Sequence, residues 1–533
     1  MRVPSPVLAL ILAVTTLTGT VTAVGVGVPT DASAAVVEPG APAVQQQAPP
    51  DPTGDPIGWE AGYWHNESID VDQSDGLSDA ELDAYVGRAM ARVEYLRDRE
   101  FTDSVDVSVE LRSDYRNRTA NAETNETFGE WNNQVWEALL IDGEDSDVQE
   151  ELKQTSAQSV VGFYSIRDNE IKVITETPER PVIDNTTLVH ELVHALQDQY
   201  YDMGDERFRG GTQDRDLAVQ GVIEGEANYI EARYVDRCGV EWECVQTPSQ
   251  PRSGGEPPNF GILLTVIQPY SDGPVYVAGL KQRNGWAAVD RHFEDLPDST
   301  EQVIHQTDES PGEIRFEDRS RNGWSTFPNQ GENGSDTVGE ASIYVMFWVQ
   351  SRSHDAGVID WRGLLRTDSP YDQFDYRSQP SAGWDEDRVF PYRKQTGSGT
   401  EFGYVWLTKW DTERDARQFQ RAYLTSLRAH GGSQVRGTVY RVADGPFADA
   451  FSVVREGRMV RIVNGPTVSD LADIYPTGQA GSGGAESTAS GEGAAGGDGD
   501  DGAIPRQSGF GPIGALLAVG ILTGLRWLAS RRP

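Results

Sequence analysis

An α+β fold is predicted by three features of this 533-residue chain. Residues 105–111 and 459–463 alternate apolar and polar side chains, the period of half-buried strands. Residues 79–96 and 415–424 place apolar side chains at helical spacing and read as amphipathic helices. Residues 160–174 look like two strands joined by a turn at Arg167-Asp168-Asn169, standing just before an apolar helical run at 187–197. The expected arrangement is a small sheet with a helix beneath it, then a mostly helical second lobe, with the final strands returning to cover it. Roughly 400 residues remain once both ends are set aside, ample for a sizeable core. No internal repeat is visible.

Taken from the N-terminus, Met1-Arg2 leads into an apolar, small-residue stretch over 7–28 that closes at Ala32-Ser33-Ala34. This is the layout of a secretory signal peptide, residues 1–34, with an uncleaved anchor as the alternative. Twin arginines are absent, which favours the general secretion route. Residues 35–58 form a linker, and 59–476 the main domain, in two lobes.

The chemistry is carried by His190-Glu191-Leu192-Val193-His194. Helical residues four apart lie on one face, so two imidazoles can meet one divalent ion. Glu191 stands beside that face, where a carboxylate can deprotonate a metal-bound water. Zinc lowers the pKa of such a water towards ~7. With 7 histidines in the chain, a chance HExxH is expected in well under about one such chain in a hundred. Oxygens of Asp184, Asn185 and Thr186 can cap the helix, and Leu188, Leu192, Val193 and Leu196 give it a buried face.

Catalytic zinc usually has three protein ligands and one open position. Residues 221–232 read as a second helix presenting Glu224, Glu226 and Glu231. Here the sequence resembles the gluzincin metallopeptidases, in which HExxH is completed by a Glu on a following helix. Glu224, with Ala227 and Asn228 behind it, fits their pattern, and Glu226 is the competing ligand. The resemblance implies a zincin-like catalytic domain, Zn2+ held by His190, His194 and Glu224, Glu191 as general base, and Asn228 orienting a ligand histidine. It also implies that the hairpin at 160–174 offers an edge strand to extended substrate. Gluzincins often use a later His or Tyr to bond the developing oxyanion. His305, after the helix start at Asp298-Ser299-Thr300, is the candidate, against a plain packing or capping role; Tyr229 is a weaker one. Further stretches, among them Gly285-Trp286, Gly383-Trp384 and Lys409-Trp410, are similar to a prokaryotic group of secreted zincin-like proteins sharing HELxHALQDQ.

Cys238 and Cys244, just beyond the second helix, suit a disulfide outside the cell, with two free thiols as the alternative. Residues 477–507 are a Gly/Ala/Ser-rich acidic linker without core-forming residues. Residues 508–533 comprise Ser508-Gly509-Phe510-Gly511-Pro512, an apolar stretch and three arginines. This resembles the C-terminal sorting signal of haloarchaeal surface proteins, usually Pro-Gly-Phe and read by an archaeosortase, with Ser508 in place of the first Pro. The expected localisation is the outer face of the cell membrane, held by the C-terminal segment or a lipid anchor.

Asp and Glu number 84 against 45 Lys and Arg, a formal net charge of −39. Such self-repulsion is screened at ~1 M salt, where the Debye length is ~3 Å. The composition suits a halophile and argues against a nucleic-acid partner, since no basic stripe is available for phosphates. The expected function is that of a surface-anchored zinc metallopeptidase acting on peptide or protein substrates. The rivals are a non-catalytic surface-binding protein on a zincin scaffold and a zinc amidase or esterase.

Overall fold

The computed structural model describes residues 50–121, 125–144, 146–248 and 259–476. The expected signal peptide at 1–34, most of the expected 35–58 linker, the expected acidic linker and the 508–533 tail lie outside the described residues.

Helix α1 (Asp79–Arg97) begins at a capping box: the Ser78 side chain accepts from the Glu81 amide while Glu81 reaches back to the Ser78 amide. The small sheet has three strands, β1 (Asp106–Leu111), β2 (Gly162–Ser165) and β3 (Glu170–Thr175), in the order β1-β3-β2. β1 runs parallel to β3 and β2 antiparallel to it, leaving β2 at an edge. The β2–β3 turn closes where Asn169 takes a left-handed φ of 54° and its amide bonds the Ser165 carbonyl. Between β1 and β2 runs α2 (Glu126–Ala138), capped by Asn125.

The metal-motif helix α3 (Asn185–Tyr201) starts from Asp184, whose side chain accepts from the Thr186 amide. Asn185 stands inside the helix and bonds the Val245 carbonyl. The next helix, α4 (Gln213–Val235), is longer than the sequence pattern indicated because Thr212 caps it a full two turns earlier. Its neighbour α5 (Gln268–Asn284) packs closely against it, and the short α6 (Thr300–His305) is capped by Ser299. One hydrophobic core joins α1, α3, α4, α5 and the small sheet through residues such as Val93, Ile171, Leu192, Val222 and Val277.

A second core gathers α2, α7 (Gly339–Ser353) and α8 (Glu413–Ala429) against a large sheet. This sheet corrects the expectation of a mostly helical second lobe. It has seven antiparallel strands: β4 (Ser325–Thr326), β5 (Trp384–Thr396), β6 (Gly399–Trp410), β7 (Ser433–Arg436), β8 (Val439–Arg441), β9 (Ala450–Glu456) and β10 (Met459–Gly465). Their order is β4-β5-β6-β10-β9-β8-β7. The alternation in β5 is disguised because its buried side includes a carboxylate. Asp387 is wholly buried and accepts from the indoles of Trp384 and Trp406, each at 2.9 Å, and from the Gly339 amide at 2.9 Å. Among the described residues no helix is long and apolar enough to cross a membrane.

Candidate metal centre

His190, His194 and Glu224 come together: one ligand atom from each lies within 4.8 Å of the others. His190 Nε2 stands 3.0 Å from Glu224 Oε2, and His194 Nε2 stands 3.4 Å from the same oxygen. The two imidazoles come from successive turns of α3, and the carboxylate from a buried position on α4.

The far sides of both rings are also engaged. His194 Nδ1 lies 2.9 Å from Gln197 Oε1, and His190 Nδ1 lies 3.5 Å from Glu231 Oε2. Acceptors at Nδ1 favour the tautomer that carries its proton there and leaves the Nε2 lone pair free for a cation. Both supports follow from helical periodicity. His190, His194 and Gln197 recur at i, i+4 and i+7 on α3, and Glu224 and Glu231 are seven apart on α4, so each set shares a face.

Glu191 is buried on α3, its Oε2 accepting from the Tyr164 amide of the edge strand β2 at 2.8 Å. Its other oxygen, Oε1, is buried without a hydrogen-bond partner among the described residues. The donor set therefore suits a divalent metal ion such as zinc: two imidazole nitrogens and one carboxylate oxygen converge, with a further carboxylate oxygen, Glu191 Oε1, left without a partner among the described residues.

Charges at the cluster compensate one another. Burial opposes the charged form of His190, but its bonds to Glu224 and Glu231 outweigh this and hold it up at about 10. Burial would raise Glu224, yet His194 and His190 hold it down to about 2. Burial also raises Glu191, against the pull of the two histidines.

The other residues singled out in the sequence lie elsewhere. Glu226 is buried but outside the cluster, bound by Arg97 and by Gln197 Nε2 at 3.0 Å. Asn228 donates to the Glu224 backbone carbonyl at 3.0 Å, while Glu231 and Gln197 are the groups beside the Nδ1 atoms of His190 and His194. His305 pairs with Glu340 of α7, Nε2 to Oε2 at 2.9 Å, and is no member of the cluster. Tyr229 packs against Trp286 and Tyr371.

A residue that the sequence did not flag, Tyr270 of α5, lies at the centre. Its ring stacks on His190 with centroids 6.2 Å apart, and its buried hydroxyl bonds Glu224. A close helix crossing brings it there. A Cβ on Gly225 would fall 2.6 Å from the Gly273 backbone, and one on Gly273 would fall 2.5 Å from the Gly221 carbonyl oxygen. Small residues at 221, 225 and 273 were the available signal, but a glycine pattern does not say which helix it meets.

Near the α4 C-terminus Cys238 and Cys244 form a disulfide, with Cα atoms 5.5 Å apart. Residues 325–475 match a domain family of unknown function, DUF8575. That stretch holds the large sheet with α7 and α8, and none of the cluster residues. No curated protein and no solved structure matches the chain.

Proposed function

We propose that this chain is a zinc-dependent metallopeptidase of the gluzincin kind, exported and held at the outer face of the cell membrane. One observation carries the reading: both Nε2 atoms converge on Glu224 while the Nδ1 atoms are held from behind, with Glu191 Oε1 unpartnered alongside. A purely structural site has no use for that extra carboxylate.

His190, His194 and Glu224 would hold Zn2+, which supplies a Lewis acid and a water that ionises near neutral pH. Glu191 accepts the proton of the attacking water, whose oxygen joins the scissile carbonyl carbon. As the C–N bond breaks, Glu191 returns a proton to the departing amine nitrogen. Burial raises the Glu191 carboxyl from its ordinary value, against the pull of His190 and His194, which makes it a better proton acceptor than an exposed carboxylate. The Tyr164 amide fixes its orientation and places it at the open edge of β2, where an extended peptide can add as a further strand. Tyr270 stays neutral because burial and Glu224 both hold its hydroxyl well above the ordinary value, so it can donate to a developing oxyanion.

The test is metal content and hydrolysis of casein and a peptide library by the full chain in molar salt, beside Glu191→Gln. We expect one zinc per chain in both, with cleavage reduced at least ~100-fold in the variant. An unchanged rate would remove Glu191 from the mechanism. Zinc with ester or simple amide turnover, but no peptide cleavage, would favour the esterase or amidase reading. Absence of zinc from both proteins would favour a binding scaffold.

A further inference from the structure

A second group of carboxylates lies on different elements from the histidine cluster. Glu137 stands at the end of α2, Glu144 in the following loop, and Asp449 immediately before β9. One carboxylate oxygen from each lies within 4.8 Å of the others. Glu137 and Asp449 are buried, at 0% and 4% exposure, and Glu144 is exposed.

The group is more than a surface acidic patch, because several of its oxygens are buried without a well-formed hydrogen bond among the described residues, and Glu137 has only Gln134 and a second carboxyl, Asp449, beside it. Neither carboxylate oxygen of Glu137 has a hydrogen-bond partner of good geometry among the described residues. The same holds for the buried side-chain oxygens of its neighbour Gln134 and of Asn464, whose amide nitrogen donates to Asp449 at 3.0 Å. Arg441, the cation that acts on Asp449, turns its guanidinium to the Pro466 carbonyl and makes no salt bridge with it among the described residues. Two carboxylates side by side inside a fold with no salt-bridging cation are costly, and a fold that keeps them does so with a proton or a cation between them.

The donor set selects the cation. Every available atom is oxygen, which suits calcium or magnesium and not a thiolate- or imidazole-seeking metal. Calcium takes six to eight oxygens at about 2.3–2.6 Å in irregular geometry, so two of its ligands can lie up to about 5 Å apart. Magnesium demands a tight octahedron and retains its waters, a poor match for carboxylates and amide oxygens gathered from a helix, two loops and a strand. The backbones are also in contact. A Cβ on Gly143 would fall 2.5 Å from the Pro446 carbonyl oxygen, so the loop carrying Glu144 lies directly against the loop leading to Asp449.

We propose that Glu137, Glu144 and Asp449 form a calcium site that fastens helix α2 and its following loop to the large C-terminal sheet. Gln134 and Asn464 supply further oxygens, and exposed Glu144 is the side from which the ion enters. Two of the three carboxylates lie outside residues 325–475, so the family-matched segment alone lacks the complete site.

The test uses the full chain in molar KCl, where the general acidic surface is screened. The protein is stripped with EGTA, reloaded with zinc alone, and titrated with calcium while heat of binding and melting temperature are followed. We expect one saturable calcium per chain and a rise of several degrees in Tm, with no rise from magnesium at the same concentration. Asp449→Asn should lose the saturable site and the Tm response without losing zinc. Glu144→Gln, a change on an exposed loop that folding tolerates, should weaken calcium at least about tenfold by removing one charged ligand. No saturable calcium in the wild type, an unchanged titration in Glu144→Gln, or an equal shift from magnesium would each overturn the assignment. A melting temperature set by pH and indifferent to calcium would show that Glu137 and Asp449 share a proton instead.

Discussion

At the scale of single residues, the groups behind the histidines matter as much as the ligands. Glu231 and Gln197 fix the two rings from their Nδ1 sides. Glu231→Gln and Gln197→Leu should each weaken zinc binding about 10–100-fold, measured by competition with a chromogenic chelator. Tyr270→Phe separates two roles of one hydroxyl. If it donates to the oxyanion, kcat falls about 100-fold or more with zinc retained; if it only steadies Glu224, zinc affinity falls and kcat per bound zinc is unchanged. These three residues also mark the limit of what the sequence makes legible. His190, Glu191 and His194 lie within two successive turns of one helix, so their shared purpose is written in local periodicity. Glu224 was approachable through ligand type and spacing on a second helix. Tyr270, 46 positions beyond Glu224 (270 − 224), has no local signature, because its place depends on where α5 crosses α4. Asn228, in register with Glu224, donates one turn back to the Glu224 carbonyl, a bond within its own helix that ligand spacing does not foretell.

At the scale of elements, the site depends on how closely α4 and α5 approach. Gly225→Ala places a methyl 2.6 Å from the Gly273 backbone, which cannot yield as a flexible side chain can. It should destabilise the fold by about 1–3 kcal/mol and, by moving Tyr270 away from Glu224, reduce turnover more than stability alone explains. Gly129→Ala is the control. It lies inside α2 with nothing within 4 Å of the added carbon, and should stabilise by up to about 1 kcal/mol. Chemical melts of both variants, with activity measured well below the transition, distinguish packing from general helix effects. The same scale explains why elements were unequally legible. Strands β3 and β10 separate inside from outside largely by residue type, and helix α1 is found by its apolar spacing although Arg88, Arg92, Glu94 and Arg97 are buried in it too. The long strands β5 and β6 do not, because Asp387 and Thr408 are wholly buried in them. Their inward polar groups bond the indoles of Trp384, Trp406 and Trp410, so a side chain that looks solvent-facing belongs to the core.

For the whole molecule, the formal charge of −39 and the buried carboxyl groups act together. Surface repulsion falls as the Debye length shortens from ~10 Å at 0.1 M to ~3 Å at 1 M salt, so Tm should climb over that range. At fixed molar salt, pH exposes the buried acids separately. Burial is the main cause that lifts Asp214 to about 7, Glu386 and Glu94 to about 8 and Glu301 to about 9, with neighbouring carboxylates adding to it in each case. Between the ordinary carboxylate value and these raised ones, the folded chain holds protons that the unfolded chain has released. Stability therefore falls as pH rises through that window. Burial lowers His65 and His430 to about 4, giving the opposite slope, but only below the ordinary histidine value of 6.5. Above 6.5 the raised acids act without that opposition, and Tm of the zinc-loaded chain should decline from pH 6.5 to pH 9. Glu301→Gln, which keeps the shape and removes the titration, should make the decline shallower, most visibly near its upper end. A flat melting curve across that range in the wild type would mean that these carboxyls ionise in the fold as freely as in the open chain.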